Sequence, residues 1–180
     1  MPEATAQVTS RATRLWWRYG LALVVLVLDQ ATKLWASARL EYAQPVEVTS
    51  FFNLTLLHNT GAAFSFLSDA GGWQQWFFAV IAVAVSLAIV VWLWRLPQQE
   101  RLQATALALI LGGAIGNLWD RMVQGYVVDF LDFYVGGYHW PAFNIADAAI
   151  VVGAAIMIWL SFRDPHRDRQ PPGDASQESS

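Results

Sequence analysis

At 180 residues the chain has room for one domain, and at 56% hydrophobic but only 14% charged it is no ordinary soluble one. A net charge of −3 with scattered basic residues offers no stripe for nucleic acid. The lack of cysteine excludes disulfides, thiolate catalysis, Cys-ligated zinc and Fe–S clusters.

The polar residues 1–14 read as a disordered N-terminus, and the Pro- and Ser-rich residues 163–180 as a disordered tail. Between them the apolar runs predict four membrane spans at residues 15–36, 73–94, 102–119 and 141–162, each near the roughly 20 residues that cross the hydrocarbon. Ala36-Ser37-Ala38 resembles a cleavage site, but Asp29, Gln30 and Lys33 separate it from the apolar core, so the first span is expected to stay. Trp16, Trp17, Trp35, Trp73, Trp94, Trp119, Trp140 and Trp159 fall near span ends, where amphipathic rings anchor. Residues 40–70 form the first loop. Within it Pro45–Leu57 is rich in Val, Thr and Phe and predicts short β-strands turning near Ser50–Asn53. The expected class is an all-α membrane protein with four transmembrane helices and a small β-rich extracytoplasmic loop domain.

The basic residues predict the orientation. Arg11, Arg14, Arg18, Arg95, Arg101, Arg163, Arg167 and Arg169 fall on one side of the four spans, and only Lys33, Arg39 and Arg121 on the other. The positive-inside bias puts both termini in the cytoplasm.

The polar residues then converge on the extracytoplasmic rim. Asp29 and Lys33 are spaced for an i,i+4 ion pair, which favours a structural role. Asn117, Asp120 and Arg121 share one helix face, with Arg121 expected to brace a carboxylate or carbonyl of a neighbouring loop. Asp129 and Asp132 lie in the second loop. Asn144 and Asp147 open the fourth span, where Asn144 is expected to orient Asp147 through a side-chain hydrogen bond. Asp129 and Asp147 both sit among apolar residues. Desolvation and a nearby carboxylate each raise a carboxyl pKa, so the two would hold one proton between them. One partner can then deprotonate water while the other hydrogen-bonds a carbonyl, which is aspartyl hydrolysis of an amide.

Five ordered motifs carry a resemblance: DQATK at Asp29–Lys33, NTGAAFSFL at Asn59–Leu67, GGAIGNLWDR at Gly112–Arg121, GYVVDFLDF at Gly125–Phe133 and FNIADAAI at Phe143–Ile150. Over about residues 15–162 the chain resembles the lipoprotein signal peptidases, signal peptidase II of bacteria. The resemblance implies an aspartyl endopeptidase of the bacterial inner membrane that needs neither cofactor nor metal. Its implied substrates are diacylglyceryl-prolipoproteins, cut on the amino side of the lipidated Cys among membrane lipids, with no obligate protein partner. By motif position Asp129 and Asp147 are the catalytic pair. Asn59, Asn117, Arg121 and Asn144 match supporting residues, and Asp29, Lys33 and Asp120 match structural ones. Gly61, with Ala62 and Ala63, is expected to admit peptide backbone closely. Two other readings compete: a metal-dependent lipid head-group transferase using Asp120, Asp129, Asp132 and Asp147 as oxygen ligands, and a small transporter or proton-conducting helper.

Overall fold

The computed structural model of the protein describes residues 2–61 and 73–163, with backbone alone at residues 2–15 and 74. Ala62, Ala63 and the expected tail from residue 164 lie outside the described residues. The elements run α1 (Pro2–Arg39), β1 (Val46–Thr49), β2 (Phe52–Asn59), α2 (Trp73–Arg95), α3 (Arg101–Val123), β3 (Val127–Val135), β4 (Tyr138–His139) and α4 (Ile145–Arg163). All four helices are long and apolar enough to cross a membrane.

Three element boundaries differ from the sequence expectation, each for a local reason. Helix α1 begins at Pro2, so the stretch expected to be disordered has helical backbone. Proline is well placed in a first helical turn, and Glu3-Ala4-Thr5-Ala6 continues into the span without a breaker. Helix α3 runs past Trp119 to Val123. It stops where Gly125 takes φ +81°, with the Gln124 and Gly125 amides donating to Asp120 and Arg121 carbonyls. Helix α4 starts at Ile145, four residues after Pro141, because Phe143 is still paired with Leu131 as an isolated bridge.

Helix α3 packs against α1, α2 and α4 and is the central helix. Its apolar window is 56% buried, against 28%, 22% and 11% for α1, α2 and α4. Small residues permit this. A Cβ on Gly112 would lie 2.6 Å from the Ala22 carbonyl of α1, and one on Gly113 would strike the Ala146 carbonyl of α4. Close backbone approach of this kind is the usual route to helix association in a bilayer, where apolar burial drives little. The outward faces stay apolar, and all eight span-end tryptophans are exposed.

The sheet sits at one end of the bundle, where α1 and α3 end and α2 and α4 begin. It is antiparallel in the order β1-β2-β3-β4. The β-strands expected in Pro45–Leu57 are present, but the second loop is also largely strand. Val127–Val135 pairs with β2 on one edge, and with Phe143 and then β4 on the other. Strand β2 carries a bulge: Leu54 is opposite Leu131, yet Leu57 is opposite Asp129. Three residues on β2 therefore span two on β3, and the side-chain parity of β2 flips. Asn53 and Thr55 face the Asp132 side, whereas Leu57 and Asn59 face the Asp129 side.

At the other end Arg18 is fully buried. Its guanidinium donates to the carbonyls of Leu93 (2.7 Å), Leu96 (3.1 Å) and Pro97 (2.9 Å). It thus caps the C-terminus of α2, where carbonyls lack intrahelical donors and the helix dipole favours a cation. Arg18→Met leaves these carbonyls unpaired in an apolar setting. The expected loss is about 1.5–3 kcal/mol, read as a lower thermal midpoint in detergent.

Candidate active site

The site is built on a buried ammonium. Lys33 Nζ lies 2.8 Å from Asp29 Oδ2 and 2.9 Å from Asp120 Oδ2, and donates to Asn117 Oδ1 at 2.9 Å. An ammonium has three donors, and here each has an acceptor. Lys33, Asp29 and Asp120 are each at most 2% exposed, so no pair could persist without full satisfaction. The expected Asp29–Lys33 pair is present, and Asp120 joins it from α3.

The two carboxylates also tie the elements together. Asp29 Oδ1 accepts the Ala146 amide at the start of α4 (2.9 Å). Asp120 Oδ2 accepts the Val128 amide of β3 (3.2 Å). Gln30 bridges them, donating to Asp120 Oδ1 (2.9 Å) and Asp29 Oδ2 (3.2 Å). Gln30 is a site residue that its sequence position alone does not reveal. The signal available was an amide beside Asp29 inside an apolar span. Gly116 makes room, since a Cβ there would lie 2.5 Å from Asp29 Oδ2.

Asp129 and Asp147 are presented above this cluster by three asparagines that share one logic. In each, the amide oxygen is fixed by a donor elsewhere, which turns the amide nitrogen toward a carboxylate. The oxygen of Asn117 faces the Lys33 ammonium, and its Nδ2 donates to Asp147 Oδ1 at 2.7 Å. The oxygen of Asn144 accepts the Asp147 amide at 2.9 Å, and its Nδ2 donates to Asp129 Oδ1 at 2.7 Å. The oxygen of Asn59 accepts the Gly61 amide at 2.9 Å, and its Nδ2 donates to Asp129 Oδ2 at 3.0 Å. Gly61 adopts φ +95°, a conformation suited to glycine, to deliver that amide.

The expected side-chain hydrogen bond between Asn144 and Asp147 is present, made to the Asp147 amide, and the Asn144 backbone amide donates in return to Asp147 Oδ2 at 3.4 Å. Asn144 thus caps α4 through the Asp147 backbone and also holds the side chain of Asp129, while Asn117 holds the side chain of Asp147. Its Nδ2 also reaches Val128 O (3.2 Å) and Asn117 Oδ1 (3.3 Å), which links the two carboxylates through one amide network. Arg121 donates to the Asn117 carbonyl in its own helix (3.2 Å), its guanidinium lies 5.4 Å from the Phe78 ring centre of α2, and its charge acts on Asp147, Asp129 and Asp120.

Burial pushes the Asp129 carboxyl up to about 7, and the charge of Asp147 adds to the rise. Hydrogen bonds from Asn59 and Asn144 and the charge of Lys33 oppose it without cancelling it. Asp132 behaves oppositely. Burial pushes it up, but hydrogen bonds from His139, Thr55 and Asn53 outweigh that and hold it below the usual carboxylate range. The bulge in β2 separates the two environments. Asp129 opens onto a pocket of about 260 Å³ lined also by Tyr42, Leu57, His58, Asn59 and Thr60.

Lys33→Met would strand two buried carboxylates and release the Asn117 amide. Breaking a buried pair costs about 3–5 kcal/mol, so the variant should unfold at markedly lower temperature in detergent and accumulate poorly in membranes.

The comparisons agree with this architecture. A profile described as signal peptidase (SPase) II matches residues 21–163. The chain is 57% identical over 143 residues to a lipoprotein signal peptidase of Teredinibacter turnerae, covering 79% of this chain and 85% of that one. It is 49% identical over 160 residues to a lipoprotein signal peptidase of Alteromonas mediterranea, covering 89% and 88%. Among solved structures it is similar to a bacterial membrane enzyme determined by the in meso method at 2.3 Å resolution. The TM-score is 0.74 and the identity 30%, over 87% of this chain and 94% of that one. With the profile spanning most of the chain and about half of the aligned residues shared with such relatives, this protein belongs to the signal peptidase II family.

Proposed function

We propose that this chain is an aspartyl endopeptidase of the bacterial inner membrane that cuts diacylglyceryl-modified prolipoproteins on the amino side of the lipidated Cys, with Asp129 and Asp147 as its catalytic pair. The observation that carries the assignment is the shared amide network. Asn117, Asn144 and Asn59 aim their nitrogens at these two carboxylates and at no other. The remaining buried acids are already committed: Asp29 and Asp120 to Lys33, and Asp132 to Thr55 and His139.

The steps follow from which partner holds the proton. Asp129, pushed up to about 7, carries it. Asp147 takes a proton from water, and the hydroxide adds to the scissile carbonyl carbon while Asp129 protonates the carbonyl oxygen. Collapse of the tetrahedral diol breaks the carbon–nitrogen bond. The proton on Asp147 passes to the leaving nitrogen, and one diol proton returns to Asp129. A carboxyl is left on the signal peptide and an amine on the lipidated Cys. The amides of the three asparagines keep both carboxyls in position throughout, so little reorganisation is needed at the moment of reaction.

The orientation belongs to the same proposal. Arg18, Arg95, Arg101 and Arg163 belong to the end of the bundle away from the sheet. With that end cytoplasmic, both termini are inside and the pair works near the extracytoplasmic face. A site at that depth meets the substrate where its membrane-spanning signal segment ends and its lipid begins.

Asp129→Asn and Asp147→Asn keep size and remove the titrating group. Each should lower cleavage of a purified lipidated precursor by about 10²–10⁴-fold while the protein still inserts. Normal turnover by either variant would end the assignment. The proton on Asp129 is present below its raised pKa and lost above it. Cleavage should therefore fall as pH rises through about 7, and the alkaline limb should move in variants of Asn59.

A further inference from the structure

The open edge of β2 beside Asp129 is unused among the described residues. Strand β1 pairs with β2 no further than Val46 opposite Leu54. Tyr42 then makes a single parallel bridge to Leu56, and the Ala43 amide donates to the Leu56 carbonyl at 2.9 Å. Beyond Leu56 the edge continues through His58 toward Asn59 with no described strand paired to its backbone, though the Tyr42 ring lies 4.8 Å from the His58 ring.

The direction of the His58 backbone follows from its partner. His58 stands opposite Val128. The Val128 amide donates to Asp120 and its carbonyl accepts from Asn144, so both turn away from β2. Directly opposed residues of an antiparallel pair either exchange both bonds or neither. The His58 N–H and C=O therefore also point outward, to the free edge. That edge and the face bearing Asp129 line the same pocket: Tyr42, His58 and Thr60 from one, Leu57, Asn59 and Asp129 from the other. The His58 ring is held by stacking on Tyr126 and by the tilted ring of Tyr42, with centres 4.0 Å and 4.8 Å away.

We propose that the substrate segment bearing the scissile bond binds as an added strand on this edge, exchanging backbone hydrogen bonds with His58; this rests on the peptidase reading above. An extended peptide satisfies exposed strand groups whatever its side chains. That suits an enzyme whose substrates share little beyond the cleavage motif and its lipid. The side chain of Asn59, next along β2, reaches Asp129 on the adjoining face, so a strand laid on the edge brings its peptide bonds to the margin of the acid pair.

The test is an N-methyl scan. Synthetic lipidated precursors, each with one backbone amide near the cleavage point methylated (the scissile amide excepted), are cleaved by the wild-type enzyme in detergent, and KM and kcat are measured separately. An added strand turns every second amide toward its neighbour. KM should therefore rise about 10-fold at the position whose amide meets the His58 carbonyl and stay near the unmodified value at the positions on either side of it. A flat scan, or a rise that grows smoothly toward the cleavage point, would overturn the proposal. His58→Pro removes the outward N–H without taking a bond from the β2–β3 ladder. A KM raised about 10-fold with kcat retained supports the proposal, and an unchanged KM counts against it. The scan uses the unaltered protein, so it stands even if that variant does not fold. Should the unmodified precursor itself resist cleavage, the peptidase reading is what fails.

Discussion

One positive charge organises the sheet end of this protein. The Lys33 ammonium, buried among helices, is balanced by Asp29 and Asp120 and completed by Asn117. Each acceptor leads to another element: Asp29 to the first turn of α4, Asp120 to the backbone of β3, and Asn117 to Asp147. A charge this deep costs several kcal/mol to desolvate, and only a complete set of partners offsets it. The same completeness makes the cluster rigid. The helices cannot slide relative to one another without unpairing an ion in a medium that has nothing else to offer.

Rigidity at that level is passed upward as orientation. An asparagine amide has two ends of similar shape and opposite polarity, and a free one could present either. Here no asparagine is free. Lys33 selects the face of Asn117, the helix cap selects that of Asn144, and the Gly61 turn selects that of Asn59. Donors are thus directed at Asp129 and Asp147 by a lysine, a helix cap and a turn amide, none of them a side chain of the pair. Two acids in close electrostatic contact, one raised to about 7, are tolerated because their surroundings supply hydrogen bonds rather than countercharge alone.

Much of this could be read from the sequence, and the boundary of what could not is physical. The spans are written in the lengths of the apolar runs, and the Asp29–Lys33 pair in helical spacing. The convergence of Asn117, Asp120, Asp129, Asn144 and Asp147 on one end follows from topology alone. Strand β3 was not legible. It is buried on both faces at Val127–Phe130, so it shows an apolar run broken by acids instead of alternation. Contacts between elements were equally hidden: Asp120 with Lys33, Gln30 with Asp120, and Arg18 with the end of α2. No spacing rule links residues 90 positions apart, as Gln30 and Asp120 are. The second partner of Asn144 was hidden for a related reason. Its neighbour in sequence takes the amide oxygen, which leaves the nitrogen for Asp129, a neighbour only in space.

The single extra residue in β2 has a consequence for how this chain can vary. Upstream of it, strand β1 and the turn at Ser50–Phe51 can lengthen or shorten, and the sheet need only re-close at its margin. Between the bulge and Asn59 the count is fixed by odd and even. One residue gained or lost there would hand Asn59 to the wrong side of the sheet and strip Asp129 of a donor, with every residue type still present. Such a protein would look intact to any inventory of its side chains and be silent at its centre, the defect lying in a reading frame of the backbone rather than in any letter of the sequence.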